Sequence, residues 1–137
     1  MSSSAVADII QARVRDAWTA TPVREGNADF DPGRAPYLEL AFPGADEGRA
    51  AIGDASNPMW EEDGAFMVHL FAPQGVGDAV LRGLADEAAG LFLRWPSPPE
   101  GLTIWRRMGS QAGERAVEGR PWAGISFGIS YTYHSIG

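Results

Sequence analysis

The side chains that commonly carry chemistry are sparse in this 137-residue chain: two histidines, scattered serines and 18 carboxylates, with no cysteine and no lysine. Without cysteine, thiolate zinc sites, cysteine nucleophiles and disulfides are all excluded. His69 and His134 fall on separate apparent strands. They could meet across a sheet, but a zinc site takes at least a third protein ligand. Ser110, Ser126 and Ser130 have no base nearby in sequence, although a triad joining one of them to a distant His stays open. Gly75-Val76-Gly77 stands between an apparent strand and a helix, where a phosphate-cradling turn would lie. Val80 occupies the place of the third glycine, and no Gly-Lys-Ser/Thr follows. Asp54 to Asp63 is acidic enough for a calcium loop, but Pro58 and Ala65 stand where such loops need oxygen ligands. The residues therefore predict no catalytic, cofactor-binding or metal site.

The aromatic residues raise a different question, because five of them are Trp. Trp18 and Trp95 lie on helical apolar stripes and read as core. Trp60 stands in an acidic, irregular arm with Met59, Glu61, Glu62 and Asp63. Trp105 alternates onto the same strand face as Arg107, outside the evident core column, and Trp122 opens the last strand. Trp and Arg are the types enriched where protein surfaces meet. Half-buried aromatics under loops explain the same positions equally well.

These side chains must be positioned by a short series of elements. Behind Ser3 and Ser4 as capping candidates, Val6, Ile9, Ile10, Val14, Ala17 and Trp18 recur at helical spacing, and Thr21-Pro22 ends that helix. A Gly/Pro-rich loop over residues 21–35 follows. Tyr37 to Phe42 alternates as a strand, with Leu38, Leu40 and Phe42 on one face, and Pro43-Gly44 is expected to stop it. Residues 43–64 form an arm, taken as mobile, with a strand at Arg49 to Gly53 or at Met59 to Glu62. Phe66 to Ala72 is a core strand ended by Pro73.

A second helix opens after Gly75, with Asp78 in its first turn and a stripe of Val80, Leu81, Leu84, Ala88, Leu91, Phe92 and Trp95. Pro96-Ser97-Pro98-Pro99 prevents its continuation. Leu102 to Met108 is a strand, with Leu102, Ile104 and Met108 against Thr103, Trp105 and Arg107. Gly109 to Gly119 reads as a polar connection. In the last strand, Ala123, Ile125, Phe127, Ile129, Tyr131 and Tyr133 line one face. Gly124, Ser126, Gly128, Ser130 and Thr132 make the other a smooth column of small groups. The expected fold is α+β, a mainly antiparallel sheet with two helices packed on one face, in a single domain over residues 1–137.

The formal charge of −7 has consequences of its own. An acidic chain without a basic run binds nucleic acid poorly, since that affinity comes largely from neutralising phosphates. Every basic residue is Arg, which favours planar pairing with carboxylates over loosely solvated charge. No apolar run approaches the ~18 residues of a membrane span, and the start lacks the basic and apolar regions of a signal peptide, so a cytoplasmic origin is expected.

The order of elements resembles the tail terminator proteins of siphophage-like particles. The resemblance runs through Pro36-Tyr37-Leu38-Glu39-Leu40, the variable arm, and Gly64-Ala65-Phe66-Met67-Val68-His69-Leu70-Phe71-Ala72-Pro73. It continues in Gly75-Val76-Gly77-Asp78-Ala79 opening a helix to Leu91-Phe92, and in a closing strand from Trp122 to Tyr131-Thr132-Tyr133. The lysine-free, GC-rich composition suits a gene transfer agent or prophage. The resemblance implies a structural protein rather than an enzyme. Such a subunit forms a hexameric ring with copies of itself, caps the tail tube against further polymerisation and offers a docking surface to the head-completion protein. Its partners would be the major tail tube protein and that head-completion or stopper protein, with DNA only in transit and no membrane. It would act in the host cytoplasm during assembly and then at the head-tail junction.

On this reading Met59, Trp60, Glu61, Glu62 and Asp63 contact a neighbour or the tube, Trp105 and Arg107 are further contact candidates, and Ser126 and Ser130 lie at a close ring contact or channel wall. A head-tail connector or stopper, another minor tail protein, or a small-molecule-binding or enzymatic α+β domain remain alternatives.

Overall fold

The computed structural model describes residues 4–24, 35–49, 59–73, 75, 77–117 and 120–136. Helices α1 (Ser4–Ala17) and α2 (Asp78–Leu93) pack on one face of a five-stranded sheet. Its strands are β1 (Val23–Arg24), β2 (Tyr37–Arg49), β3 (Met59–Pro73), β4 (Leu102–Val117) and β5 (Arg120–Ile136), in the spatial order β1-β2-β3-β5-β4. β1 runs parallel to β2, and every other pair is antiparallel. This is the α+β architecture that the alternation and helical spacing predict.

Helix α1 buries Val6, Ile10 and Val14, one turn apart each time, followed by Trp18 just past its end. Such spacing aligns the side chains on one stripe. The Trp18 indole N–H donates to Thr21 Oγ1 at 2.8 Å, fixing the exit before Pro22. The capping candidate Ser3 lies outside the described residues. Helix α2 buries Leu81, Ala85, Ala88, Ala89 and Phe92, but Val80, expected on its stripe, stands 45% exposed. Arg13 of α1 holds the two helices together: its guanidinium donates to the Leu91 carbonyl at 2.9 and 3.1 Å and lies over the Trp95 ring.

Beneath the helices, Leu38, Phe66, Val68, Leu70, Phe127, Ile129 and Tyr131 form the core. Phe66 and Phe92 meet edge to face with centroids 4.8 Å apart. Each large side chain buried this fully contributes roughly 1.5–3 kcal/mol before conformational costs.

Three irregular stretches in the sequence are strand. Pro43-Gly44 does not end β2: the register with β3 shifts between Ala41 and Gly44, and pairing resumes as far as Arg49 opposite Trp60. An extra residue is absorbed as a bulge, which bends a strand without ending it. The expected irregular arm is thus an extended hairpin in its described parts, with Met59 to Glu62 in β3; of the alternative strand, only Arg49 is described, and residues 50–58 lie outside the described ones. Likewise the expected polar connection after Gly109 continues β4 to Val117, paired with β5. Within the expected loop before Tyr37, Val23 and Arg24 add a short parallel strand beside Leu38 and Glu39.

Candidate functional site

The acidic run Glu61-Glu62-Asp63 lies in a central strand, flanked by β2 on one side and by Tyr131–Ile136 of β5 on the other. Strand alternation sends Glu62 to the helix-covered face and its neighbours to the opposite, open face. Each carboxylate finds a partner on β5. The Tyr131 hydroxyl donates to Glu62, which is 4% exposed. Thr132 Oγ1 donates to Asp63 at 2.6 Å, and His134 Nε2 stands 2.9 Å from Glu61. Burying a carboxylate is costly unless hydrogen bonds replace its water, so the Tyr131 hydroxyl lets Glu62 occupy the covered face, while Asp63 stays exposed and Glu61 half-exposed.

Trp105 completes the arrangement. Its indole N–H donates to Thr132 Oγ1 at 2.8 Å, linking β4 through β5 to Asp63 on β3. The ring is nevertheless 63% exposed. A large aromatic pinned at its nitrogen and bare over most of its surface loses little freedom when a partner covers it, which favours binding. Asp63, Gly64, Trp105, Arg106, Ser130, Tyr131 and Thr132 line a hollow of about 410 Å³ here. Ser130 Oγ donates to the Arg106 carbonyl at 3.3 Å. A second hollow of about 550 Å³ is lined by Met59, Glu100, Gly101 and His134. Trp60 is half-buried on β3 opposite Arg49 and Ser135.

Trp105 and Arg107 do not share a face, contrary to the plain alternation. The β4–β5 register shifts between Ile104 and Arg106, and again between Met108 and Ser110. One added residue flips every side chain beyond it. Arg107 accordingly turns toward the helices, 2.7 Å from Asp86 of α2 and over the Phe127 ring, while Met108 turns to the open face beside Gly128.

The small-residue column of β5 is not smooth either. A Cβ added at Gly124 would meet the Phe71 ring at 2.7 Å, and one at Gly128 would meet Met108 at 2.9 Å and Met67 at 3.3 Å. The glycines accommodate side chains from the adjoining strands. Trp122, a contact candidate in sequence, is buried with Tyr37 and Phe71 at that end of the same face.

Ser126 Oγ lies 2.6 Å from His69 Nδ1, and the register places Glu39 opposite His69. Nucleophile, base and carboxylate types therefore stand in a row across β5, β3 and β2. Acyl transfer also needs backbone N–H groups aimed at a developing oxyanion. The surrounding backbone belongs to two strands paired on both sides, and the contact links β3 to β5. Among the described residues no cluster of three His, Asp or Glu side chains is arranged to hold a metal ion.

Sequence reasoning thus singled out Glu61, Glu62, Asp63, Trp105 and Ser130, which the fold brings into one region, together with Met59 at its margin. The structure separates Arg107 and Ser126 from them: Arg107 turns to Asp86 and Phe127, and Ser126 meets His69. Sequence reasoning missed Tyr131, Thr132, His134 and Arg106 as partners. Their signal was register, which places Glu62 opposite Tyr133 and Asp63 opposite Thr132 once β3 is extended back to Met59.

The phage tail terminator protein family model matches residues 5–131. The chain belongs to the phage tail terminator family. The matched span includes Glu61, Glu62, Asp63, Trp105, Arg106, Ser130 and Tyr131 of the site, while Thr132 and His134 lie just beyond it. The family is structural, so this terminator is a component of the virion tail and associates with other tail components. A solved structure shares the terminator's fold with a TM-score of 0.50 and 22% identity, over 91% of this chain and 94% of that one. No curated protein sequence matches the terminator. Among the described residues no helix is long and apolar enough to cross a membrane.

Proposed function

We propose that this terminator assembles into a closed hexameric ring on the head-proximal end of the tail tube. There it stops tube polymerisation and presents a docking surface to the head-completion protein. The observation that carries this reading is the pinned but exposed Trp105, on a sheet face opposite both helices, in a chain whose family is structural. A ring of identical subunits joins two different surfaces of each copy and closes when the rotation between neighbours divides a full turn.

The acidic balance fits a conduit for DNA. A lumen that neutralised many phosphates would hold the duplex, whereas one of like charge lets it pass. Catalysis has no part in this role. The alternative role of a stopper or connector in the same particle predicts binding to the head-completion protein without arrest of tube growth.

The test adds purified terminator to polymerising tail tube protein. Tubes of arrested length bearing a terminal ring, with a mass by native mass spectrometry six times that of the 14.7-kDa chain, are expected. Tubes that grow to the same length with and without the protein would sink the capping role. A ring of another stoichiometry would correct the hexamer alone.

A further inference from the structure

The sheet ends in two unlike edges. On one side β1 covers β2 only at Leu38 and Glu39, so among the described residues no strand pairs with the outer side of Leu40–Arg49. On the other side, β4 is the last strand among the described residues, from Leu102 to Val117. Long unpaired edges invite another strand, and natural monomers usually cover or interrupt them.

The two edges differ in charge. Leu40–Arg49 contains Asp46 and Glu47 against Arg49, whereas β4 contains Arg106, Arg107 and Arg115 against Glu114. Arg107 is engaged with Asp86, but Arg106 is exposed and its guanidinium has no partner among the described residues. Asp46 is likewise exposed, has no partner there, and stands in register with Asp63, so two carboxylates face each other across the hairpin. Like charges at directly opposite strand positions are destabilising, and a cation from outside would relieve this one. Asp46 pairs in register with Asp63, and Arg106 lines the same hollow as Asp63, so both charges lie on the open face.

The geometry points to a second copy of this chain as the occupant: the β4 edge of one subunit adds to the Leu40–Arg49 edge of the next, with Arg106 against the neighbour's Asp46. Strand direction agrees with this. β2 and β5 run one way, β3 and β4 the other. Rotation about an axis near the strand direction keeps those senses, so β4 meets the neighbouring β2 antiparallel, as in the sheet's other long pairings. An Asp46–Arg106 alignment sets Leu40 to Arg49 opposite Ala112 to Thr103, which lies wholly within β4. Main-chain hydrogen bonds would give the affinity, and the charge pair would select the register. The inference rests on the ring reading and names the surface that closes it.

Two variants test it. The chain has no cysteine, so Asp46→Cys with Arg106→Cys places the only two thiols in the protein. Within one subunit β3 and β5 separate those strands by three spacings, about 14 Å along the sheet. A disulfide needs Cα atoms within about 7 Å, so bridging within a subunit is barred. Oxidised assemblies are expected to give a ladder from dimer up to the full ring on a denaturing gel. Separately, Asp46→Arg and Arg106→Asp should each raise the concentration needed for ring formation by about tenfold or more, and the combined reversal should restore it. Circular dichroism confirms the fold of each variant. Normal rings from both single reversals, together with no ladder, overturn the edge pairing while leaving the ring reading intact. A wild-type protein that stays monomeric both alone and on tube ends overturns the ring and this interface with it.

Discussion

On the helix-covered face of the sheet, Phe66, Val68, Leu70, Phe127 and Ile129 are fully buried against α1 and α2, whereas on the opposite face Trp105 and Met108 stay 63% and 41% exposed. Both faces come from one period-two alternation, so the contrast does not lie in secondary structure. It lies in what covers each side. Apolar contact holds the first face, while short polar links hold the second: Asp63 to Thr132 to Trp105, and His69 to Ser126. The open face is itself uneven, since Tyr37, Phe71 and Trp122 are buried at one end and exposure gathers at the other, beside the bulges of β4. Stability and the proposed recognition surface thus fall on different faces of the same strands.

The contrast predicts that damage to the covered face reaches the fold first. Phe66→Ala removes a fully buried ring packed on Phe92, Phe42 and Tyr131. A loss of about 3–5 kcal/mol is expected by denaturant titration, with assembly failing as a consequence of unfolding. A cost below 1 kcal/mol would mean that the helices do not seat on this ring. Next comes Gly101→Ala, in the turn that leads into β4. Gly101 has φ +90°, and an added Cβ would stand 2.4 Å from the His134 carbonyl oxygen. Its own carbonyl accepts from His134 N–H at 2.9 Å, so the turn cannot simply move away. About 1–3 kcal/mol is expected from the backbone conformation alone, with His134 and Glu61 losing their alignment. Unchanged NMR shifts at His134 would contradict this.

Tyr131→Phe examines the polar side of the same core. It deletes the hydroxyl that donates to Glu62 and leaves a buried carboxylate short of one donor. About 1–3 kcal/mol of stability should be lost. Tyr131→Phe combined with Glu62→Gln should recover part of it, because a neutral amide is less costly to bury than an uncompensated carboxylate. No recovery in the double variant would show that the charge of Glu62 is satisfied elsewhere.

The covered face was largely legible in the sequence. Leu38, Phe66, Val68, Leu70, Phe127, Ile129 and Tyr131 announce themselves by alternation, and Val6, Ile10 and Val14 by helical spacing, because burial selects apolar residues at fixed periods. The region proposed for recognition was legible in residue types but not in geometry. Glu61-Glu62-Asp63 looks like a solvated loop, since nothing local reveals that Tyr131, Thr132 and His134 will stand beside it. Pro43-Gly44 and Gly109 look like stops because bulge and terminator share the same residues, and only pairing with a neighbour decides between them. The flip of Arg107 follows from the same ambiguity: a single unpaired residue reverses the face of everything after it.

That flip supplies the closest comparison, because Trp105 and Arg107 stand two residues apart on β4 and face opposite sides. Arg107→Ala removes a cation from the Phe127 ring and an ion pair to Asp86 whose carboxylate is 75% exposed. Solvent screening discounts the ion pair, so most of the loss comes from the ring contact, and about 0.5–1 kcal/mol in total is expected. Trp105→Ala removes an exposed ring held by one hydrogen bond, and its stability should shift by no more than about 0.5 kcal/mol. Assembly should reverse the ranking. Loss of a central aromatic anchor commonly costs a complex 2 kcal/mol or more, roughly thirtyfold in affinity, while loss of an inward-facing Arg leaves the contact surface in place. Tube-length distributions measured with each variant read this directly: Trp105→Ala should fail to arrest growth at concentrations where Arg107→Ala still does. Equal arrest by both variants would remove Trp105 from the contact surface and move the search to the Met59 end of the hairpin.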